Sequence, residues 1–270
     1  MNFPVIEMFA SIQGEGQFTG IPSFFVRVSG CNLRCCFKGS ICDTPYSSYE
    51  PEKTGYETMD DVVKAFKKLR EENPNVKHLV ITGGEPLMYK KGLEEFLEAT
   101  YDEDLLVTIE TNGTFEPLPS FSNKYTIDLY SISPKLSTSV GNANGKLTVE
   151  QVKHHNETRI NLKALCEFVL KSIGYQFKFV YSGPECIGEI KQLYADMQKY
   201  VDENFSEDQK QYYDTFSPTE FNQFTMLMPE GITNEQLAKS RIECAEVCVK
   251  EGWQYTDRTH IIIWGDKRGV

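Results

Sequence analysis

Hydrophobic positions along the chain follow two periods, one typical of strands and one typical of helices. Short apolar or alternating stretches predict strands over 5–10, 24–29, 78–82, 105–110, 125–133, 175–181, 223–228 and 260–264. Apolar residues at helical spacing predict helices over 58–69, 91–99, 161–172, 186–201 and 234–251. Because strands and helices alternate, the pattern predicts an α/β fold with a mostly parallel sheet and right-handed crossovers.

Two regions lack either period. Residues 136–157 are rich in Ser, Asn, Gly and Lys, and we expect them to form a mobile polar connection. Residues 202–218 are acidic and contain few aliphatic side chains, which predicts an insertion at the surface. A chain of 270 residues is long enough for one sizeable core, so we expect residues 1–270 to form a single domain that carries this insertion.

The composition of the chain limits the binding partners and the cellular compartment that we expect. The net charge of −11 repels phosphate backbones and anionic membrane surfaces, so we expect no nucleic acid and no membrane as partners. The sequence shows no signal-peptide pattern and no apolar run near the ~20 residues of a membrane span, which predicts a cytoplasmic protein. In that reducing compartment the eight cysteines favour metal binding or free thiols over disulfides.

Four of the eight cysteines lie within twelve positions, directly after the predicted strand at 24–29. They are Cys31, Cys35, Cys36 and Cys42. A structural zinc site would usually need a second pair of ligands, and none follows at short spacing. Three loop cysteines instead suit an iron-sulfur cluster that keeps one iron free of protein ligands. Packing as small apolar core residues is the plainer alternative, but core cysteines do not cluster in this way.

The sequence from Ser11 to Thr44 resembles the start of the 7-carboxy-7-deazaguanine synthases, a family of radical S-adenosylmethionine enzymes. The stretches that carry the resemblance include Gln13-Gly14-Glu15-Gly16, Phe25-Val26-Arg27, Gly30-Cys31-Asn32-Leu33-Arg34-Cys35 and Cys42-Asp43-Thr44. The family pattern is Cys, three residues, Cys, two residues, Cys, and here residues 37–41 lengthen the second spacing. The resemblance implies that Cys31, Cys35 and Cys42 bind a 4Fe-4S cluster. Cys36 in place of Cys35 is the alternative that the spacing leaves open.

The same resemblance implies a fold and a reaction. The fold is a modified, partial TIM-type (β/α)6 barrel of the radical S-adenosylmethionine class. The reaction is a lyase-type ring contraction that converts 6-carboxy-5,6,7,8-tetrahydropterin to 7-carboxy-7-deazaguanine with loss of ammonia, in 7-deazapurine (queuosine) biosynthesis. Two other functions stay open: an activase that abstracts hydrogen from a glycyl-radical enzyme and, from another class, a non-catalytic iron-sulfur electron carrier.

In parallel α/β sheets the active site forms at the carboxyl ends of the strands, and we expect every polar motif of this chain to lie there. In Thr82-Gly83-Gly84-Glu85-Pro86 the glycines allow close backbone approach to a ligand and the carboxylate can accept a hydrogen bond from an ammonium group. An ordinary tight turn is the alternative interpretation of this motif. The resemblance implies that the motif holds the methionine part of S-adenosylmethionine. The cofactor-binding residues that it implies are Gly83, Gly84, Glu85, Thr111, Ser133 and Lys135.

A second set of residues is expected to hold the substrate. Arg27 lies on an otherwise apolar strand, where an unpaired charge would be costly, so it must face the site or an acidic partner. By resemblance, the substrate-binding residues are Gln13, Gly14, Glu15, Arg27, Thr82, His260 and Val270. A pterin edge can donate hydrogen bonds to a carboxylate, and its carboxyl group suits a guanidinium.

Further partners follow from the resemblance. Thr44 resembles the family's magnesium-contacting threonine, and because a hydroxyl is a weak ligand for a hard cation, we expect substrate oxygens to complete the coordination of Mg²⁺. The resemblance also implies a homodimer and a flavodoxin-type or similar reductant.

The ligand assignment predicts how single cysteine substitutions affect cluster binding. Replacing Cys31, Cys35 or Cys42 by Ala should abolish cluster reconstitution, because each change removes one ligand, whereas Cys36→Ala should retain it. Iron content and visible absorbance of the anaerobically reconstituted proteins measure the outcome. A colourless Cys36→Ala protein beside a brown Cys35→Ala protein would reverse the assignment.

Overall fold

The computed structural model describes residues 3–38, 40–102, 104–219, 224–265 and 267–270, and strands recur along this part of the chain. In chain order the strands are β1 Val5–Ile12, β2 Pro22–Val28, β3 Cys36–Phe37, β4 Ser40–Ile41, β5 His78–Gly83, β6 Leu106–Thr111, β7 Leu129–Ile132, β8 Tyr175–Tyr181, β9 Thr225–Pro229 and β10 Gln254–Tyr255. The helices are α1 Pro45–Ser48, α2 Met59–Glu72, α3 Lys90–Thr100, α4 Val149–Thr158, α5 Leu162–Lys171, α6 Glu185–Asn204, α7 Glu207–Phe216, α8 Asn234–Glu251 and α9 Thr259–Trp264. Short 3-10 turns cover Pro86–Tyr89, Ser137–Ser139 and Ala143–Gly145.

The main sheet has the strand order β1-β2-β5-β6-β7-β8-β9-β10. In this sheet β2 and β5 to β10 pair in parallel with their neighbours, and β1 pairs antiparallel with β2. Strands β3 and β4 form a separate antiparallel pair. In the residues that the structure describes, β1 and β10 stand at opposite ends of the sheet, which is therefore not closed into a full barrel. The predicted mostly parallel α/β fold with a partial barrel is confirmed.

Helix α2 shows how the local sequence forms a helix that packs on the main sheet. Thr58 accepts a hydrogen bond from the Asp61 backbone N–H, while the Asp61 carboxylate accepts one from the Thr58 N–H, so a capping box fixes the start of the helix. Phe66 of this helix is fully buried, and its ring packs edge-on against Phe24 of β2 (5.6 Å between centroids) and against Phe96 of α3 (5.4 Å). The apolar face of α2 thereby covers the sheet beside α3.

The region 136–157 is more ordered than the sequence predicts. It contains two 3-10 turns and most of helix α4, whose first turn is fixed by a capping box between Thr148 and Gln151. Leu147 and His155 are buried, so this region packs onto the molecule. The expectation of a mobile connection is wrong, because two capping side chains and a few buried contacts outweigh the polar composition.

Residues 260–264 form part of helix α9 and not the closing strand that their β-branched sequence predicts. Ile262 and Ile263 are half exposed, so the β-branched run has no neighbouring strand to pack against. The Thr259 N–H donates to the Gly14 carbonyl at 2.9 Å, which anchors the helix start, and tertiary contacts thus override strand propensity. The edge next to β9 is instead occupied by β10. The predicted strand at 223–228 is β9, and its first predicted residue, Gln223, lies outside the described residues.

The acidic region 202–218 is mostly helical. Its first residues continue α6, and α7 follows from Glu207 to Phe216 with a buried side chain at Tyr213. The single domain with a surface insertion stays a prediction. Among the described residues, no helix is long and apolar enough to cross a membrane.

His78 is buried at the start of β5, and each ring nitrogen hydrogen-bonds one hydroxyl: Nδ1 with Ser23 Oγ (2.7 Å) and Nε2 with Thr108 Oγ1 (2.8 Å). Burial disfavours the charged ring and lowers its pKa from 6.5 to about 4. The unfolded chain therefore takes up this proton first as the pH falls. The contribution of His78 to stability is complete above pH 6.5 and is lost between pH 6.5 and about 4.

The stability of the protein should therefore decrease on acidification partly through His78. His78→Gln should flatten the dependence of the free energy of unfolding on pH between 6.5 and 4, by no more than about 3 kcal/mol. Chemical denaturation at several pH values measures this slope, with the exposed His154→Gln as the matched control. Equal slopes for wild type and His78→Gln would contradict the assignment.

Candidate active site

A cavity of about 360 Å³ brings together most of the residues that the sequence analysis selected. Side chains from strands β1, β2, β5, β6, β7, β8 and β9 line it. The predicted residues on its wall are Gln13, Gly14, Glu15, Arg27, Cys31, Cys35, Cys42, Thr44, Thr82, Gly83, Gly84, Thr111, Ser133, Lys135, His260 and Val270. Glu85 is the predicted residue that does not line the cavity. One site therefore joins residues from both ends of the chain.

The cysteine loop contributes three thiols to this cavity and turns the fourth away from it. Cys31, Cys35 and Cys42 line the wall. Cys36 lies on β3 and packs in a small separate hydrophobic cluster with Ala143 and Leu147. The structure thus favours Cys35 over Cys36 as the second cluster ligand.

The three wall thiols suit a cationic centre that spans the space between them. In the described part of the chain no three His, Cys, Asp or Glu side chains meet closely enough to hold a single metal ion. A cubic iron-sulfur cluster needs a different arrangement, because each cysteine binds a separate iron and the thiols surround the cluster. Burial raises the pKa of the Cys31 thiol to about 11, with the Glu85 carboxylate adding to the shift, and burial also raises the pKa of Cys35 and Cys42. Thiolates at these positions therefore require a bound cation.

Hydrogen bonds with the side chains of non-cysteine residues hold the backbone of the cysteine loop. The Tyr49 hydroxyl donates to the Cys35 carbonyl (2.8 Å), and Arg34 Nη1 donates to the Cys31 carbonyl (2.7 Å). The Arg34 N–H donates to Nδ1 of His155 on helix α4 at 3.2 Å. Burial, and then the nearby Lys135, lower the pKa of His155 to about 4, so the ring is neutral and can accept this bond.

Gly83 and Gly84 let the end of β5 pack directly against the start of the cysteine loop. A Cβ on Gly84 would lie 1.8 Å from the Gly30 carbonyl oxygen, and Gly83 has a φ of +121° that side-chain-bearing residues rarely adopt. The Gly84 N–H donates to the Val28 carbonyl at 3.0 Å. These glycines are therefore required by backbone contacts within the protein as well as by their place on the cavity wall.

Glu85 is fully buried behind the wall and orders the end of β6. Its carboxylate accepts hydrogen bonds from the Asn112 N–H (2.7 Å), from Thr111 Oγ1 (2.8 Å) and from the Leu87 N–H (3.0 Å). Burial raises the pKa of Glu85, although these donors oppose the shift. Its carboxylate thus sets the position of Thr111, which does reach the cavity.

Further polar side chains stand near the thiols. Lys135 Nζ donates to Ser133 Oγ at 2.8 Å, just after β7, and both residues line the cavity. Asn112 Nδ2 lies 3.8 Å from the Cys31 sulfur and donates to Asn32 Oδ1 at 2.9 Å. This half of the cavity therefore combines thiols with hydrogen-bond donors and one ammonium group.

The opposite half of the cavity is a network of paired charges around Glu15. The Glu15 carboxylate pairs with Lys178 through Oε2 and accepts from Arg258 Nε through Oε1 at 3.0 Å. Glu110 accepts from Thr82 Oγ1 (2.7 Å) and from Gln13 Nε2 (3.2 Å). Lys178 also lies 3.9 Å from Glu110, so it bridges the two carboxylates.

This pairing determines which groups are charged. Burial alone would raise the pKa of Glu15, but Lys178 and Arg258 outweigh it and hold that pKa well below its usual range. Burial likewise opposes the charge of Lys178, and its two carboxylate partners raise its pKa. Both groups are therefore ionised at neutral pH although their side chains are largely buried.

The loop that carries Gln13 and Glu15 approaches from the other end of the sheet. Ile12 pairs with Pro22, the first residue of β2, whereas the cysteine loop follows the last residue of β2. The expectation that every polar motif lies at the carboxyl ends of the strands is wrong for this loop, because β1 runs antiparallel to β2. The loop folds against the segment before α9, where a Cβ on Gly14 would lie 2.1 Å from the ring of His260.

Arg27 faces the cavity and also has an acidic partner. Its Nε donates to Glu7 Oε1, and Arg268 donates to the other oxygen of Glu7 at 2.7 Å. Arg268 stacks over the Tyr46 ring with 3.7 Å between the guanidinium carbon and the ring centroid. These contacts hold the segment that contains Val270 beside Arg27 at the cavity wall.

Thr44 lies where the cysteine loop enters helix α1. Its Oγ1 is 3.4 Å from the Cys42 sulfur and makes no capping hydrogen bond to the helix. Thr44 lines the cavity together with Cys42 and Asp43. An oxygen in this position can reach a ligand bound in the cavity.

Sequence reasoning missed Lys178 and Arg258 as wall residues. Lys178 had a detectable signal, because Gln176 and Lys178 alternate with the aromatic residues of β8, and a lysine on such a strand must find a carboxylate. Arg258 lies outside any periodic element, and no local pattern marked it.

The chain matches known proteins by family profile, by sequence and by fold. Residues 25–162 match the profile of the Radical SAM superfamily. The chain is 34% identical to a 7-carboxy-7-deazaguanine synthase of Rhodopirellula baltica over 98% of this chain and 88% of that protein. It is 33% identical to one of Halobacterium salinarum over 97% of this chain and 91% of that protein. The crystal structure of QueE from Escherichia coli matches 96% of this chain and 94% of that one with a TM-score of 0.55 and 20% identity, which supports the fold.

Proposed function

Because this chain belongs to the 7-carboxy-7-deazaguanine synthase family of radical S-adenosylmethionine enzymes, we propose that it converts 6-carboxy-5,6,7,8-tetrahydropterin to 7-carboxy-7-deazaguanine with release of ammonia. The observation that carries the proposal is the cavity itself. It has three thiols at one end and an ionised, doubly paired Glu15 at the other. A cofactor and a polar heterocycle can therefore bind side by side.

The thiol half fits the cofactors of this family. Cys31, Cys35 and Cys42 would bind the 4Fe-4S cluster, and the bound cluster with S-adenosylmethionine would supply the radical chemistry. The cofactor would lie along Gly83, Gly84 and Thr111, with Ser133 and Lys135 as further polar contacts. Glu85 contributes by ordering Thr111 and Asn112, since its carboxylate is occupied by their donors.

The charged half fits the substrate. Glu15 can accept hydrogen bonds from the donor edge of a pterin through its remaining lone pairs, because each carboxylate oxygen has two acceptor sites. Arg27 can bind the substrate carboxyl group with the guanidinium atoms that Glu7 leaves available. Gln13, Gly14, Thr82, His260 and Val270 complete this half of the wall. The protein's own task is to hold the pterin at a fixed distance from the cofactor and to exclude water.

The direct test is product formation by the reconstituted protein. Anaerobic incubation with a reductant, S-adenosylmethionine and 6-carboxy-5,6,7,8-tetrahydropterin should yield 7-carboxy-7-deazaguanine, identified by its mass. The Cys31→Ala protein is the matched negative control, because it loses a cluster ligand. Cleavage of S-adenosylmethionine without this product would refute the proposed substrate.

We also propose that Mg²⁺ binds at Thr44 together with substrate oxygens. Support comes from the position of the Thr44 hydroxyl on the cavity wall, free of a helix-capping role. A single hydroxyl cannot hold a hard cation alone, so the ion would bind only with substrate present. A homodimer and a flavodoxin-type reductant belong to the same proposal by family resemblance, and the cytoplasmic location stays a prediction.

The magnesium proposal predicts a defined response to substitution. Mg²⁺ should increase product formation by wild type, Thr44→Ala should blunt this dependence, and Thr44→Ser should largely preserve it because the oxygen remains. Product formation measured against Mg²⁺ concentration for the three proteins gives the result. Cleavage of S-adenosylmethionine without substrate should be insensitive to the ion. Three identical magnesium curves would remove Thr44 from the ion site.

A further inference from the structure

Arg258 joins the two halves of the cavity. Its side chain is only 10% exposed. Nε donates to Glu15 Oε1 at 3.0 Å, Nη1 donates to the Gly231 carbonyl at 2.8 Å, and Nη2 pairs with Asp43. All three nitrogen atoms of the guanidinium thus donate hydrogen bonds. Two of them donate to carboxylates from different loops.

The two carboxylates belong to different functional segments. Asp43 stands between Cys42 and Thr44, so its position is tied to the last part of the cysteine loop. Glu15 belongs to the loop that enters from the other end of the sheet, and its second oxygen pairs with Lys178. Arg258 therefore links the thiol half of the cavity to the charged half.

Backbone contacts show that the segment around Arg258 is built against the Glu15 loop. The Gly16 N–H donates to Thr256 Oγ1 at 2.7 Å, and the Thr259 N–H donates to the Gly14 carbonyl at 2.9 Å. Arg258 is thus held in place from both sides of its own position. Its guanidinium extends this fixed unit to Asp43.

The guanidinium has the geometry that such a link requires. Its planar group presents several donors in fixed directions, whereas a lysine ammonium is a compact point charge and cannot span two carboxylates and a carbonyl in the same way. Without a cation between them, the Glu15 and Asp43 carboxylates would repel each other. Removal of the guanidinium should therefore loosen both loops together.

We propose that Arg258 is a positioning residue that fixes the Glu15 loop and the Asp43–Thr44 end of the cysteine loop at one separation. This inference rests on the proposed function for its catalytic meaning: a substrate held by Glu15 is kept in register with the cofactor bound beside Cys42. Arg258 itself touches neither the cofactor nor the reacting atoms in this scheme. Its loss should uncouple cofactor cleavage from product formation.

The test compares Arg258→Gln and Arg258→Lys with wild type. The matched control is Arg70→Gln, which removes an arginine paired with Asp102 at 2.8 Å outside the cavity. Hydrogen exchange of the cluster-free proteins reports on residues 13–20 and 40–48 without any need for catalysis. The reconstituted proteins give iron content, affinity for 6-carboxy-5,6,7,8-tetrahydropterin, and the ratio of 5′-deoxyadenosine to product.

In Arg258→Gln, exchange should rise in both regions together, pterin affinity should fall about tenfold or more, and the ratio should rise, with iron content unchanged. In Arg258→Lys, protection from hydrogen exchange should return to the wild-type level in at most one of the two regions. Arg70→Gln should behave as wild type in all of these measurements.

Several results would overturn the inference. Affinity and ratio within about twofold of wild type in both Arg258 variants would do so. A rise in hydrogen exchange in only one of the two regions in Arg258→Gln would show that Arg258 makes a local contact only. A rise in exchange throughout the sheet would show that it is a general structural residue. If wild type forms no 7-carboxy-7-deazaguanine, the proposed function fails, while the exchange experiment still decides the role of Arg258.

Discussion

Charge compensation among buried side chains is the constraint on which this site depends. A buried carboxylate or ammonium group is costly unless it is paired and hydrogen-bonded. Glu15 satisfies this condition only because Lys178 of β8 and Arg258 before α9 meet at its two oxygens. The same condition ties Glu110 of β6 to Lys178 and to Thr82 of β5. The geometry of the charged half therefore follows from the need to pair every charge.

The buried thiols of the thiol half, by contrast, are neutral in the protein alone. Burial raises the pKa of all three wall cysteines, so the protein by itself favours neutral thiols there. Binding of a cationic iron-sulfur centre would convert the thiols to thiolates and stabilise them. One cavity therefore combines a charged half, whose charges are paired with one another, with a thiol half, whose thiols would ionise on binding a positively charged cofactor. Arg258 connects the two through Glu15 and Asp43.

Backbone packing fixes the cysteine loop against the end of β5. The end of β5 approaches the start of the cysteine loop so closely that a side chain on Gly84 would collide with the Gly30 carbonyl. The Glu85 N–H donates to this same carbonyl at 2.9 Å, and its buried carboxylate then orders Thr111. The motif at 82–86 is thus a structural joint between β5, the cysteine loop and the end of β6.

The sequence by itself determined seven strands of the main sheet (β1, β2 and β5 to β9) and five of the helices, because hydrophobic periodicity is a local property, while the three cluster cysteines were implied by the family resemblance. It misassigned α9, where an apolar β-branched run is held as a helix by a contact between Thr259 and Gly14, and it missed α4. Only the tertiary structure decided that Arg258 pairs with Glu15 and Asp43, residues separated from it by 243 and 215 positions. Such pairs form because the folded chain excludes water around them, and a local sequence window contains neither the partner nor the burial that makes the pairing necessary.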